Sequence, residues 1–184
     1  MKRLLITGGT GGLGSVVVPR LSRDYECIVM HRGETPRIDG SLFGVISLAG
    51  AFAAGSSTEI AQQMMEANLY SFTRAFDLAS PHLEDGGRIV AISSAASLTQ
   101  PAGLAAYSAS KAALNAYILT LAHELAKRRI TANALLPTAL ATAPMRVQMR
   151  DDQLVPLERV AEWIAFLLSD NGAGVTGQLI KLDA

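Results

Sequence analysis

The chain has 184 residues, 49% of them hydrophobic, which suits a single domain over 1–184 with a sizeable core. Sixteen basic residues balance sixteen acidic ones, so net charge draws it neither to nucleic acid nor to an anionic membrane. Cys27 is the only cysteine, which excludes an intrachain disulfide and a Cys-rich zinc site, and no metal ligand set is expected.

Hydrophobic patterning predicts strands near 2–6, 27–31, 43–48, 87–93, 130–135 and 178–182, and helices near 12–23, 58–80, 106–128 and 156–169. Strands alternating with helices imply an α/β fold with a doubly wound parallel sheet of the Rossmann-like kind. The first strand, Leu4-Leu5-Ile6, runs into Thr7-Gly8-Gly9-Thr10-Gly11-Gly12-Leu13-Gly14 and then Val16-Val17-Val18. Strand, glycine turn and helix is the order a dinucleotide pyrophosphate needs, because glycines admit the ligand to the backbone and the helix start offers N–H groups. Gly8, Gly12 and Gly14 fit the T-G-x-x-x-G-x-G framework, with Thr10 and Leu13 in the same turn.

Cys27 lies in the apolar second strand and reads as core. At that strand's end stand His31 and Arg32, neither acidic. An acidic residue there suits the ribose 2′-hydroxyl of NAD, whereas a guanidinium suits the 2′-phosphate of NADP, so NADP is favoured over NAD, with Arg37 a second basic group nearby.

In the helix starting at Ser57-Thr58-Glu59 and stopping before Pro81, Asn68 falls in the middle, where an amide has poor helix propensity and gains most from a buried role. Tyr107 and Lys111 stand four residues apart in a helical stretch, so the phenol and the ammonium share a face. A fixed cation stabilises a phenolate, so the Tyr107 pKa is expected below its usual value of about 10, making the hydroxyl a usable acid or base. Lys127-Arg128-Arg129 closes this helix as a solvated basic cap.

In the combination of these motifs the chain resembles the short-chain dehydrogenase/reductase family. Ser94, thirteen residues before Tyr107, matches that family's catalytic serine, and Asn68 its proton-relay asparagine. Leu48-Ala49-Gly50 resembles the end of its Asn-Asn-Ala-Gly turn, with Ser47 and Leu48 replacing the asparagines. Pro137 through Thr142 resembles its Pro-Gly segment and following threonine, with Thr138 replacing the glycine. The stretch from Asn133 to Trp163 is similar to the compact dihydropteridine reductase branch, although that branch lacks the serine and has an acidic cofactor position. Trp163 reads equally as core or substrate contact, and Met145 and Met149 as cover for the cleft.

The resemblance implies that NADPH lies across the carboxyl ends of the strands, against Gly8, Thr10, Gly12, Leu13, Gly14, Arg32, Ala49, Gly50, Pro137 and Thr142. Tyr107 would protonate a carbonyl or imine substrate, Ser94 would position it, Lys111 would bind the nicotinamide ribose, and Asn68 would hold a relay water. It also implies a cytoplasmic homodimer or homotetramer, an expectation that fits an N-terminal strand in place of a signal peptide and the lack of a bilayer-long apolar run. A typical member has a helix, a strand and another helix between its second and next core strands. Here Arg32 to Leu42 crosses alone, with Gly, Pro and no helical period, so the third strand and its flanking helices should be missing. That loss, with the altered Asn-Asn pair, leaves a competing reading: a nucleotide-sensing or scaffolding protein on the same fold.

Overall fold

A computed structural model describes all 184 residues. Six strands, β1 (Arg3–Thr7), β2 (Glu26–Met30), β3 (Leu42–Ser47), β4 (Leu83–Ile92), β5 (Thr131–Pro137) and β6 (Leu179–Leu182), form one all-parallel sheet in the order β2-β1-β3-β4-β5-β6. The apolar runs of β1 and β5 are explained by cover on both faces: Leu4, Leu5 and Ile6 are fully buried, as are Ala134, Leu135 and Leu136. On one face lie α1 (Gly14–Leu21) and α7 (Leu157–Leu168), whose Val17, Leu21, Val160 and Ile164 pack on Leu4, Ile6 and Ile46. On the other lie α3 (Ser71–Ala79) and α5 (Ala105–Glu124), whose Phe72, Ala75, Leu114 and Ile118 pack on Leu5, Val45 and Ala91. Two short helices outside the predicted set, α4 (Ala96–Thr99) and α6 (Ala143–Gln148), follow β4 and β5. No helix is long and apolar enough to cross a membrane.

The usual third strand and its helices are absent, and the segment 31–41 joins β2 to β3 without a helix. Eleven extended residues reach about 36 Å, enough to run back along a strand of about 17 Å and step across one neighbour. Ile38, buried among Leu5, Leu42 and Phe72, supplies the apolar cover a crossover helix would have given. Consequently β2 is an edge strand, and Cys27 is half-buried rather than core.

The helix expected over 58–80 is interrupted. It runs as α2 (Thr58–Met65), started by the Ser57 hydroxyl accepting from the Ile60 amide at 3.4 Å, then a π turn (Glu66–Tyr70), then α3. Asn68 sits at the centre of the π turn. α5 ends at Glu124, and Arg128 in the following turn pairs with Asp85 at 2.8 Å, so the basic cap is partly tied to the start of β4 rather than free in solvent.

Candidate active site

The chain leaves β1 toward β2 on one side and re-enters at β3 on the other, so the carboxyl ends of β1 and β3 flank the crevice where doubly wound sheets bind ligands. Gly8 turns the chain there with φ +71°, and an added Cβ would stand 2.5 Å from the Ala49 amide nitrogen. At Gly14 a Cβ would stand 2.4 Å from the Gly9 carbonyl, so the start of α1 packs directly on the turn. The amides of Thr10, Gly12 and Leu13 donate to no protein acceptor. Free amides at a helix start, next to glycines that leave backbone bare, fit an anionic pyrophosphate. Leu13 has only its backbone amide to offer such a ligand, since its side chain is core.

A cavity of about 780 Å³ opens at the carboxyl ends of β3 to β6. Ser94, Tyr107, Lys111, Gly50, Pro137 and Thr142 all line it. Two ties set α5 against the segment that follows β4: the Ser93 hydroxyl donates to the Lys111 carbonyl at 3.3 Å, and the Asn115 amide donates to Ser97 Oγ in α4 at 2.8 Å. Tyr107 and Lys111 therefore face the cavity one helical turn apart. Thr142 approaches the glycine turn from across the crevice, its methyl 3.3 Å from where a Gly12 Cβ would stand.

Lys111 is fully buried, its ammonium donating to the Ile92 carbonyl at 2.9 Å, and burial lowers its pKa to about 8. The expected lowering of the Tyr107 pKa is not found. Burial of the ring pushes it up, and the Ser94 hydroxyl only partly offsets that. The reason is physical: Lys111 is itself starved of solvation and its ammonium is engaged by Ile92, so it does not outweigh the desolvation of a phenolate.

Asn68 stands one layer behind the cavity. Its amide donates to the Ala51 carbonyl at 3.0 Å and to Ser110 Oγ at 3.0 Å, while its carbonyl oxygen accepts from the Ala51 amide at 2.9 Å. A Cβ on Gly50 would lie 2.9 Å from Asn68 Oδ1 and 3.1 Å from Lys111 Nζ, so Gly50 is the gap through which the ammonium meets the crevice. Asn68→Ala removes both hydrogen bonds to the half-buried Ala51 and should cost about 1–2 kcal/mol, read as a lower urea midpoint; an unchanged midpoint would mean that Asn68 does not hold the π turn.

Arg32 is not brought to the cavity: it lies exposed beyond the edge strand without an ion pair, and Arg37 pairs with Asp39 at 2.7 Å. Ser47 receives a hydrogen bond from Thr7 Oγ1 at 3.3 Å, joining the ends of β1 and β3. Met145 lines the cavity; Met149 does not. Trp163 is half-buried on α7, packed against the core's margin and edge-on to the exposed Phe166 at 5.9 Å, away from the cavity, so it is neither full core nor a cavity contact. The sequence reading missed Phe52, Leu104, Gln148 and Lys181 on the cavity wall. Phe52 stacks edge-on against Tyr107 at 5.1 Å while 63% exposed, and an aromatic isolated in an Ala/Gly/Ser loop was the available signal.

A parallel sheet with a glycine turn at its switch point and a Ser, Tyr and Lys around one cavity defines a dinucleotide-binding fold of the oxidoreductase type. The chain belongs to the short-chain dehydrogenase/reductase family: the family model described as Enoyl-(Acyl carrier protein) reductase matches residues 37–184. A "probable short-chain type dehydrogenase/reductase" of Bradyrhizobium diazoefficiens is 36% identical over 135 residues, covering 66% of this chain, which spans only 48% of that relative. The dihydropteridine reductase of Dictyostelium discoideum is 28% identical over 218 residues, covering 99% of this chain and 94% of its own. That alignment is longer than the chain, as a missing internal segment requires. A short-chain dehydrogenase from Burkholderia cenocepacia, solved with NADP, superposes with a TM-score of 0.85 at 26% identity, covering 99% of this chain and 96% of its own.

Proposed function

We propose that this protein is an NADPH-preferring oxidoreductase that reduces a carbonyl or imine carbon, with Tyr107 as general acid. The observation that carries this is the convergence of Ser94, Tyr107 and Lys111 on one cavity beside the glycine turn. The nicotinamide, when bound, supplies the hydride. Gly8, Gly12, Gly14 and the free amides of the turn hold the pyrophosphate, with Ala49, Pro137 and Thr142 along the crevice. Lys111 reaches the ribose through the gap at Gly50. Tyr107 gives its hydroxyl proton to the substrate heteroatom as negative charge grows there, and Ser94 donates a hydrogen bond to that same atom. A raised phenol pKa keeps that proton in place at neutral pH, so the acid role needs no prior protonation. Asn68 acts by fixing Ala51 and the floor of the cavity, and a relay water at its π turn would replenish the proton through Lys111.

The preference for NADPH rests on Arg32, together with the NADP held by the similar Burkholderia enzyme. Arg32→Asp should shift the ratio of Kd values for NADPH and NADH toward NADH by about tenfold or more, the worth of one charge-assisted pair; an unchanged ratio removes Arg32 from the site. The cytoplasm is the proposed location. Ala105, Ala109, Ala112 and Ala116 form an exposed small-residue stripe on α5, which suits close helix pairing in a homodimer or homotetramer. Absorbance at the nicotinamide band, followed with a panel of carbonyl compounds and quinonoid pterins, tests the function. Consumption of NADPH supports the reductase, whereas NADPH binding without consumption by any of them supports the sensor.

A further inference from the structure

The cavity holds one charged group that the proposed mechanism does not use. No carboxylate lines the cavity, and its two cations are Lys111 and Lys181. In β6, Ile180 and Leu182 pack toward α1 and α7, so Lys181 points to the opposite face, the one covered by α5. It pairs in register with Leu136 at the carboxyl end of β5, immediately before Pro137 and Thr138 on the cavity wall. Its ammonium rests on the Asp183 carboxylate at 3.0 Å, with both side chains about half exposed. Such a pair is worth little in water and exchanges readily for another anion. Thr138 and Gln148 add neutral polar groups to the same rim.

Building on the reductase reading, we propose that Lys181 selects substrates carrying an oxyanion, a carboxylate or phosphoryl group, on the chain beyond the reacting carbonyl. The carbonyl lies between Ser94 and Tyr107 and the substrate's apolar stem along Leu140 and Met145. The anion then replaces Asp183 as the partner of Lys181. A lysine on an edge strand also has a structural use, blocking edge-to-edge pairing, and that use would change association but not substrate choice.

The test compares levulinate with its uncharged methyl ester, and acetonylphosphonate as the phosphoryl arm, in the full-length protein with NADPH. Wild type should prefer an anion to the ester in kcat/KM. Lys181→Gln should lower that preference by about tenfold, mainly through KM, as loss of one charge contact does. Asp183→Asn should raise it by removing the internal competitor. The arm that loses more in Lys181→Gln identifies the preferred oxyanion. A preference untouched by Lys181→Gln, while Tyr107→Phe still stops turnover, overturns the anion site and leaves the reductase standing. Wild-type turnover of uncharged carbonyls in the wider panel without turnover of either anion overturns the anion site alone, and NADPH binding without consumption by any compound of that panel overturns both.

Discussion

Tyr107→Phe is expected to lower kcat by at least about a thousandfold while the Kd for NADPH stays within about twofold, because the change removes only the transferable proton. The ring remains. Its edge contact with Phe52 and its place in α5 do not depend on the hydroxyl, so the cavity keeps its shape. Single-turnover kinetics and a fluorescence titration with NADPH give the two numbers. Turnover by the variant equal to wild type would reject Tyr107 as the acid and move the proton source to Ser94 or solvent.

Lys111→Met is expected to stabilise the ligand-free protein while ending catalysis. Holding Lys111 at about pKa 8 inside the fold, against about 10.5 when unfolded, costs about 3 kcal/mol at pH 7. Loss of the hydrogen bond to Ile92 takes back about 1 kcal/mol, leaving a gain of about 2 kcal/mol. For a chain of this size that is a rise in Tm of about 5 °C. Between pH 8 and 10.5 the unfolded wild type binds a proton that the folded form lacks, so wild-type stability rises with pH across that window. The variant should lose that rise. Tyr107 works with the opposite sign: its raised pKa means the folded form keeps a proton that the unfolded form loses above about pH 10, so its share of stability falls there. Calorimetry at pH 7 and pH 9 separates the two. A variant less stable at pH 7 would mean that the ammonium is solvated in the cavity, and the cost of its burial would have to be withdrawn. A more stable variant would mean that the cavity retains a costly buried cation for use rather than for stability.

The fold was legible because its signals are local. Leu4-Leu5-Ile6 before the glycine turn, and the Tyr107 and Lys111 spacing within a helix, are patterns that neighbouring residues impose on one another. The lost third strand was legible too, since a Gly- and Pro-containing piece without helical period cannot hide a strand and two helices. The break at Asn68 was not. A π turn is rare, has no local sequence signature, and is braced here by Ala51, seventeen residues away, through contacts no periodicity reports.

By itself the sequence determined the alternating architecture, the glycine turn after β1 and the identities of Ser94, Tyr107 and Lys111 as groups that could meet, because residue type and spacing fix which groups can meet. The tertiary structure alone decided their electrostatics. Whether a phenol's pKa rises or falls depends on how much water packing removes from it and where its neighbour's charge is engaged, and here burial of Tyr107 outweighs a Lys111 held by Ile92. It alone also decided that Arg32 stands apart on an open edge and that Lys181, seventy residues beyond Lys111, shares its cavity. Distances of that kind are set by how the sheet stacks its strands, and no stretch of chain contains them.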